Sequence, residues 1–378
     1  MARSIVLAVP GRLETRTGGS LYNRHMAEGL LRLGWRVDVR ELEGDFPRPD
    51  GAALEGASRM FAAVPSGTVV VVDGMALSAM PEIAARESAR LRPVALVHLP
   101  IAADVGLDAH TAARFEASER RALEAASLVV VTGRATLPLL DRYGLPPERI
   151  VVVEPGTQPA PLARGSGDTT AHLLCVATLN PAKGHDVLLR ALASTKAVRS
   201  AGASAFADAS ADRRGPGAGC SAPATWRLTC AGSLTRHPET AARVQALARE
   251  LGLADRVSFA GDLETDALER CYDTADLFVL ATLQETYGMA VAEALAHGLP
   301  VIGTRTGAIA TLVGDDAGLV VPPGDVPALA AALEGAISDA TLRARIAAGA
   351  RRVRDRLPTW DDAARRMAAA LEGLTMHG

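Results

Sequence analysis

Glu285 and Glu293 enclose the part of this chain whose residue types and spacing point most directly to chemistry. Glu285 falls in a loop after an apolar run, Gly288 opens a helical pattern, and Glu293 lies on the second turn of that helix. The first N–H groups of a helix have no partner inside it and sit at the positive end of its dipole, so they suit a phosphate. Gly288 lets backbone approach a ligand closely. Carboxylates on either side of such a site can accept hydrogen bonds from hydroxyls, one set on a sugar and the other on a ribose. A bare pair at this spacing would equally be two solvated glutamates beside an ordinary helix. The Glu293-Ala294-Leu295-Ala296 run and the Gly298-Leu299-Pro300-Val301 that follow shift the reading towards a site.

A cation stands elsewhere. Of 40 lysines and arginines only two are lysines, Lys183 and Lys196. Lys183 lies in Pro181-Ala182-Lys183-Gly184-His185, at a strand-to-helix turn, where an ammonium can offset a diphosphate leaving group as a point charge. Near the start, Gly18 and Gly19 stand between the apolar run 4–9 and a helical pattern at 20–33. A glycine pair at a first strand-to-helix turn can bring N–H groups to a phosphate or an acceptor, and serves as well as a plain turn. His98 ends the apolar run 93–98 and Asp73 ends 68–73. Both positions belong to the carboxyl edge of a parallel sheet, where ligands of open α/β sheets bind. Each also fits a structural role, His98 as a satisfied core histidine and Asp73-Gly74 as a strand-end turn.

These residues need elements to hold them. Apolar, β-branched runs bounded by turn residues read as strands buried on both faces. They fall near 4–9, 36–39, 68–73, 93–98, 127–132 and 150–153, then near 172–178, 227–231, 256–260, 276–281, 300–303 and 318–321. Helical patterns lie between them, among them 20–33, 111–125, 134–143, 184–193, 237–251, 288–297 and 325–336. Strand-helix alternation predicts a doubly wound α/β fold. The Pro- and Gly-rich stretch Glu154 to Gly167 has no periodicity and reads as a hinge, which predicts domains at 1–160 and 161–358. A stretch at about 197–224, with almost no large apolar residues, predicts a mobile surface insertion. An amphipathic helix at 359–373, opened by Trp360, predicts a capping helix in the last segment, 359–378.

Composition narrows the function. A net charge of −3 and no visible basic stripe disfavour a nucleic-acid partner. Four cysteines, with no Cys-x-x-Cys pair, give no zinc or redox motif and suit a reducing, cytoplasmic setting. The apolar run at the N-terminus is too short for a signal-peptide core, and no run reaches the length of a bilayer span. Peripheral membrane contact stays open.

The pattern Glu-x-x-Gly-x-x-x-x-Glu-Ala-Leu-Ala-x-Gly-x-Pro-Val at 285–301 closely resembles the signature of family 4 retaining glycosyltransferases, the group 1 glycosyltransferases with the GT-B fold. Thr304 to Ala308 and Val321 to Asp325 also fit, and the resemblance covers nearly the whole chain apart from 197–224. It implies two Rossmann-like domains facing across a cleft, the first for the acceptor and the second for the nucleotide-sugar, with the last helix crossing back to the first and Trp360 at the interdomain contact. It implies that Glu285 contacts the donor sugar, that N–H groups of Gly288, Met289 and Ala290 meet its phosphate or sugar, and that Glu293 binds the ribose. Lys183 takes the family's diphosphate-binding place, Gly18 and Gly19 its glycine loop, and His98 its histidine near the reacting carbon. Two positions depart from the pattern. Thr178 stands where the family usually has an arginine five residues before the lysine, leaving Thr178 or Arg305 to meet the phosphate, and Thr311 stands where a glutamate is frequent.

The expected activity is transfer of a sugar, with retention, from a nucleoside diphosphate sugar to an unidentified small-molecule, lipid-linked or glycan acceptor. No cofactor is expected beyond the donor itself. No Asp-x-Asp occurs, which disfavours the metal-binding transferase fold, and Lys183 with helix N-termini would take a metal ion's place at the leaving group. Same-face attack, with the leaving phosphate taking the acceptor's proton, is likewise implied only by the resemblance. The competing readings are a GT-B epimerase or phosphorylase, and a non-catalytic sugar-nucleotide-binding protein, which the missing arginine at Thr178 favours.

Overall fold

The computed structural model describes residues 3–195 and 225–375. The predicted insertion at 197–224, with Lys196 and Cys220, lies outside the described residues. By its contacts the chain divides into two compact units. One comprises Met1–Gln158, Glu285–Met289 and Pro358–Gly378, and the other Pro159–Gln284 and Ala290–Leu357.

The first unit is built on strands β1 (Ser4–Pro10), β2 (Arg36–Leu42), β3 (Val69–Asp73), β4 (Arg92–Val97), β5 (Leu128–Val131) and β6 (Ile150–Val152). They pair in parallel in the order β2-β1-β3-β4-β5-β6. Alternate residues point to opposite faces, and in β1, β3, β4 and β5 both faces are covered, which is why those strands read as nearly unbroken apolar runs, while the edge strand β2 alternates apolar and charged residues and is largely exposed. Val6, Ala8, Val70, Val72, Ala95, Val97, Val129 and Val131 enter one cluster. Ile5, Leu7, Val69, Val71, Val94, Leu96, Leu128 and Val130 enter the other. The helix Trp360–Thr375 belongs to this unit and completes the second cluster. Its Ala363, Met367 and Leu371 repeat every four residues and are 1%, 1% and 0% exposed. Trp360 packs inside the unit, stacked on His25 with ring centres 4.1 Å apart and edge-on to Tyr22 at 5.9 Å.

The second unit uses β7 (Thr170–Val176), β8 (Thr225–Ala231), β9 (Val257–Gly261), β10 (Leu277–Leu280), β11 (Val301–Thr304) and β12 (Gly318–Val321). The order is β12-β11-β10-β7-β8-β9, again all parallel. Within the unit this is the strand order of the dinucleotide-binding fold, whose direction of winding reverses between the first and fourth strands. Here those are β7 and β10. The first unit has the flavodoxin-like order instead, with its reversal between β1 and β3. Both sheets are the doubly wound α/β architecture the alternation predicts.

Three local readings are corrected. The helix predicted at 134–143 is three short pieces, a 3₁₀ turn at Arg134–Thr136, Leu137–Leu140 and a 3₁₀ turn at Asp141–Tyr143. Pro138 at the second piece's start lacks an N–H, and Gly144 ends the run in the left-handed region, so no long helix forms. The first helix begins at Gly18, so both glycines form its first turn instead of preceding it. Thr17 is the cap that moves the start, its hydroxyl accepting the Ser20 N–H at 3.0 Å. His98 is the first residue beyond β4, which ends at Val97.

Candidate active site

In the first unit the candidate residues gather at the carboxyl edge of the sheet, beside the reversal between β1 and β3. Asp73 ends β3, in register with Leu96, and His98 comes two residues after Leu96, just beyond the end of β4. Gly19 on the first helix meets the same ring. A Cβ built there would lie 3.3 Å from His98 Cδ2 and 3.4 Å from Nε2, so the glycine is what lets the histidine ring reach the helix. Gly18 is exposed at the helix start. Sequence reasoning missed Asn23, one turn after Gly19 on that helix. Its Nδ2 donates to Asp73 Oδ2 at 2.8 Å, and its Oδ1 faces His98 Nε2 at 3.3 Å. Asp73 Oδ2 also faces His98 Nε2, at 3.4 Å, and Oδ1 accepts the Met75 N–H at 3.0 Å. Burial pushes the Asp73 carboxyl up, but the contacts with His98, Asn23 and the Met75 N–H outweigh it and hold it below the usual carboxylate range. Tyr22, edge-on to His98 at 5.3 Å, is anchored by its hydroxyl donating to Val153 O at 2.8 Å.

A second buried carboxylate, also missed, fixes the loop after His98. Glu119 on the helix Ala109–Ala125 accepts the N–H groups of Ile101 at 3.0 Å and Ala102 at 3.4 Å, and a bond from the Ser78 hydroxyl at 3.2 Å. The Tyr143 hydroxyl donates to Oε2, the oxygen that also accepts from Ala102, while Ile101 and Ser78 donate to Oε1. Burial pushes the Glu119 carboxyl up, with those four donors opposing. Glu119 therefore ties the segments that follow β3 and β4 to one helix. The only sequence sign is an acidic residue on the apolar side of a helix, four after Phe115.

In the second unit the site lies at the reversal between β7 and β10. After β7 the chain passes Thr178, half-buried, and makes the 3₁₀ turn Pro181–Lys183. Asn180 caps that turn, its Oδ1 accepting the Lys183 N–H at 3.2 Å. Gly184 then takes φ +60° and starts the helix His185–Ala193. A side chain at Gly184 would put its Cβ 2.1 Å from Ala281 O, at the end of β10. The loop after β10 is fastened to the same turn: Leu283 N donates to Ala182 O at 2.7 Å and the Thr282 hydroxyl to the same oxygen at 2.9 Å. The structure therefore joins the Lys183 turn to the loop that leads into the glutamate motif.

The motif itself is shared between units. Glu285–Met289 counts with the first, where Thr286 O lies against the backbone of Gly133 and Met289 packs on the second apolar cluster. Glu285 is half-buried, its Oε1 accepting the Thr286 N–H at 3.2 Å, and Gly288 has φ +101°. Ala290 onward counts with the second unit, and Ala290 packs on its core. The helix runs Met289–Ala296 with Glu293 on its second turn. Tyr272, stacked on His297 with ring centres 4.6 Å apart, donates its hydroxyl to Glu293 Oε2 at 3.0 Å. Burial pushes the Glu293 carboxyl up to about 7, the Tyr272 hydroxyl opposing and Glu269 adding to the rise. Arg305 and Thr311, weighed for the phosphate and for the frequent glutamate, are both exposed. Among the described residues no three His, Cys, Asp or Glu side chains are grouped to hold a metal ion, and no helix is long and apolar enough to cross a membrane.

Residues 163–353 match the family described as glycosyl transferases group 1, about half the chain, and the chain belongs to that family. Among curated relatives it is similar to a D-inositol 3-phosphate glycosyltransferase of Acidothermus cellulolyticus, 32% identical over 59% of this chain and 48% of the relative. A protein of the same name from Nocardioides is 32% identical over 65% of this chain and 54% of the relative. The chain thus spans about half the length of the curated relatives it matches. Among solved structures it is similar to a sucrose-phosphate synthase of Thermosynechococcus elongatus, with TM-score 0.77 and 20% identity over 99% of this chain and 100% of that one. HepE of Anabaena, solved with UDP and glucose, matches with TM-score 0.71 and 18% identity over 97% of this chain and 99% of that one. These likenesses establish the GT-B fold.

Proposed function

We propose that the protein is a retaining glycosyltransferase that moves a sugar from a nucleoside diphosphate sugar to an acceptor hydroxyl. The observation that carries this reading is the Lys183 turn, hydrogen-bonded through Ala182 O to the loop after β10 where the sheet reverses. That is where doubly wound sheets bind nucleotides, and the chain belongs to a family of transferases. Lys183 and the N–H groups at the start of the helix His185–Ala193 oppose the diphosphate's charge as it leaves. Glu293 accepts the ribose hydroxyls, while Glu285 and the N–H groups of Gly288, Met289 and Ala290 hold the sugar and its phosphate. Thr178 donates to the diphosphate where an arginine would otherwise stand. Gly18, Gly19 and His98 serve the transferred sugar and the acceptor. The acceptor's class is a sugar or cyclitol hydroxyl, in keeping with the inositol phosphate and glucose in the names of similar proteins.

Thermal unfolding with UDP, GDP, ADP and their glucose and N-acetylglucosamine esters tests the donor. A ligand at a hundredfold excess over Kd should stabilise the protein by about 2.7 kcal/mol. Transfer is then measured with the stabilising donor across sugar, cyclitol and lipid-linked acceptors. Stabilisation by none of these nucleotides would overturn the reading. Stabilisation without turnover on any acceptor would leave a sugar-nucleotide-binding protein in its place.

A further inference from the structure

The group around His98 has an order of dependence that fixes where the ring's proton sits. Asp73 is 4% exposed and ionised, so its oxygens only accept. Asn23 approaches Asp73 Oδ2 at 2.8 Å and must present its NH₂ there, which turns its carbonyl Oδ1 to the other side. On that side is His98 Nε2, 3.3 Å from Asn23 Oδ1 and 3.4 Å from Asp73 Oδ2. Two acceptors facing one ring nitrogen require a proton on it. Gly19 closes over the Cδ2–Nε2 edge of the same ring.

We propose that Asp73 and Asn23 are positioning residues that hold His98 as the Nε2–H tautomer, leaving Nδ1 as the ring nitrogen that meets the substrate, where it accepts a hydrogen bond from a sugar hydroxyl. The assignment of Nδ1 to a sugar rests on the transferase reading, but the tautomer does not. His98 keeps 24% of its side chain exposed, and the neighbours Gly19, Asn23 and Asp73 all lie at its Cδ2–Nε2 edge. The arrangement obeys the same logic as a carboxylate that orients a catalytic imidazole, where replacing the acid by its amide keeps the shape and selects the wrong tautomer.

The test is long-range ¹H–¹⁵N correlation on the full chain labelled at its 8 histidines, with no nucleotide or acceptor added. His98 is assigned by the signals lost in His98→Gln. In the wild type, above the pH where the ring takes a second proton, Nε2 should carry the pyrrole-type shift and Nδ1 the pyridine-type shift. Asp73→Asn can offer an N–H to Nε2, so the pattern should move towards Nδ1–H. A wild-type ring with its proton on Nδ1 overturns the proposal, and so does an unchanged pattern in a folded Asp73→Asn protein. If that variant does not fold, the wild-type spectrum decides alone. Because no substrate is present, a failed transferase reading leaves this result standing, and an Nδ1–H ring leaves the donor screen untouched.

Discussion

The two units hold their candidate residues by different means. In the first, side chains hold side chains: Asp73 and Asn23 grip His98, and Glu119 gathers two backbone N–H groups and two hydroxyls. In the second, what is held is backbone: Ala182 O accepts from the Leu283 N–H and the Thr282 hydroxyl, Asn180 Oδ1 accepts the Lys183 N–H, and Gly184 has no side chain to strike Ala281. A side-chain network sets protonation and ring orientation. A backbone cradle presents N–H groups whose geometry does not depend on pH. The first suits a group that must choose between donating and accepting, and the second suits a diphosphate, whose charge needs fixed donors.

The sharpest way to break this contrast is Gly184→Ala. The new methyl would sit 2.1 Å from the carbonyl oxygen of the first residue after a central strand, and the residue must keep φ +60°. The left-handed conformation alone costs about 1–2 kcal/mol, and the overlap forces the two loops apart. Stability in denaturant titration should fall by more than about 3 kcal/mol, the range reserved for a named steric fault, and nucleotide binding should disappear with it. A variant as stable as the wild type would show that the cradle is not held by this contact. Lys183→Ala tests charge without shape. Transfer should fall about 10²- to 10³-fold in kcat, with the unfolding temperature little changed. An undiminished kcat would remove Lys183 from the leaving-group site.

The same contrast explains what could be read from the residues alone. The backbone cradle is written in contiguous motifs, because a turn of positive φ, a lysine and a helix start are neighbours in the chain. Pro181 to His185 and Glu285 to Glu293 could therefore be singled out from the sequence, and the twelve strands among the described residues fall where apolar runs lie, although the edge strands β2 and β9 alternate in burial. The side-chain network is assembled across the fold. Asn23 lies 50 residues from Asp73 and 75 from His98, and it looks like any polar helical residue until β1, β3 and β4 are set side by side. Glu119 was illegible for the same reason. The broken stretch at 134–143 shows the other limit, since its apolar spacing suits a helix while Pro138 and Gly144 act against one.

A smaller effect separates the units by pH. Glu293 sits in the second unit yet behaves like a member of a side-chain network, because burial lifts its carboxyl to about 7. The folded state then binds the proton more tightly than the unfolded chain, so the donor-free protein should lose stability as pH rises from about 4.5 through 7. With Glu293 accepting ribose hydroxyls as proposed, nucleotide affinity should move the other way and weaken below pH 7, by up to about tenfold per unit. Both trends should vanish in Glu293→Gln, measured by unfolding temperature and by calorimetric titration at pH 5.5 and 7.5. Trends that persist in that variant would place the titrating group elsewhere.

The mildest perturbation is Gly19→Ala, and its value lies in the sign of two readings. Alanine gains about 1 kcal/mol over glycine inside a helix, less at the first turn. The added methyl meets His98 Cδ2 at 3.3 Å and Nε2 at 3.4 Å, close enough that the ring must give by a few tenths of an ångström. Stability should hold or rise slightly, while kcat falls a few-fold and nucleotide affinity stays level, because the shifted ring belongs to the first unit and the proposed phosphate site to the second. Stability and activity moving in opposite directions is what a residue selected for close approach predicts. A glycine that served only as a turn would give a variant changed in neither, and the contact between Gly19 and His98 would then carry no function.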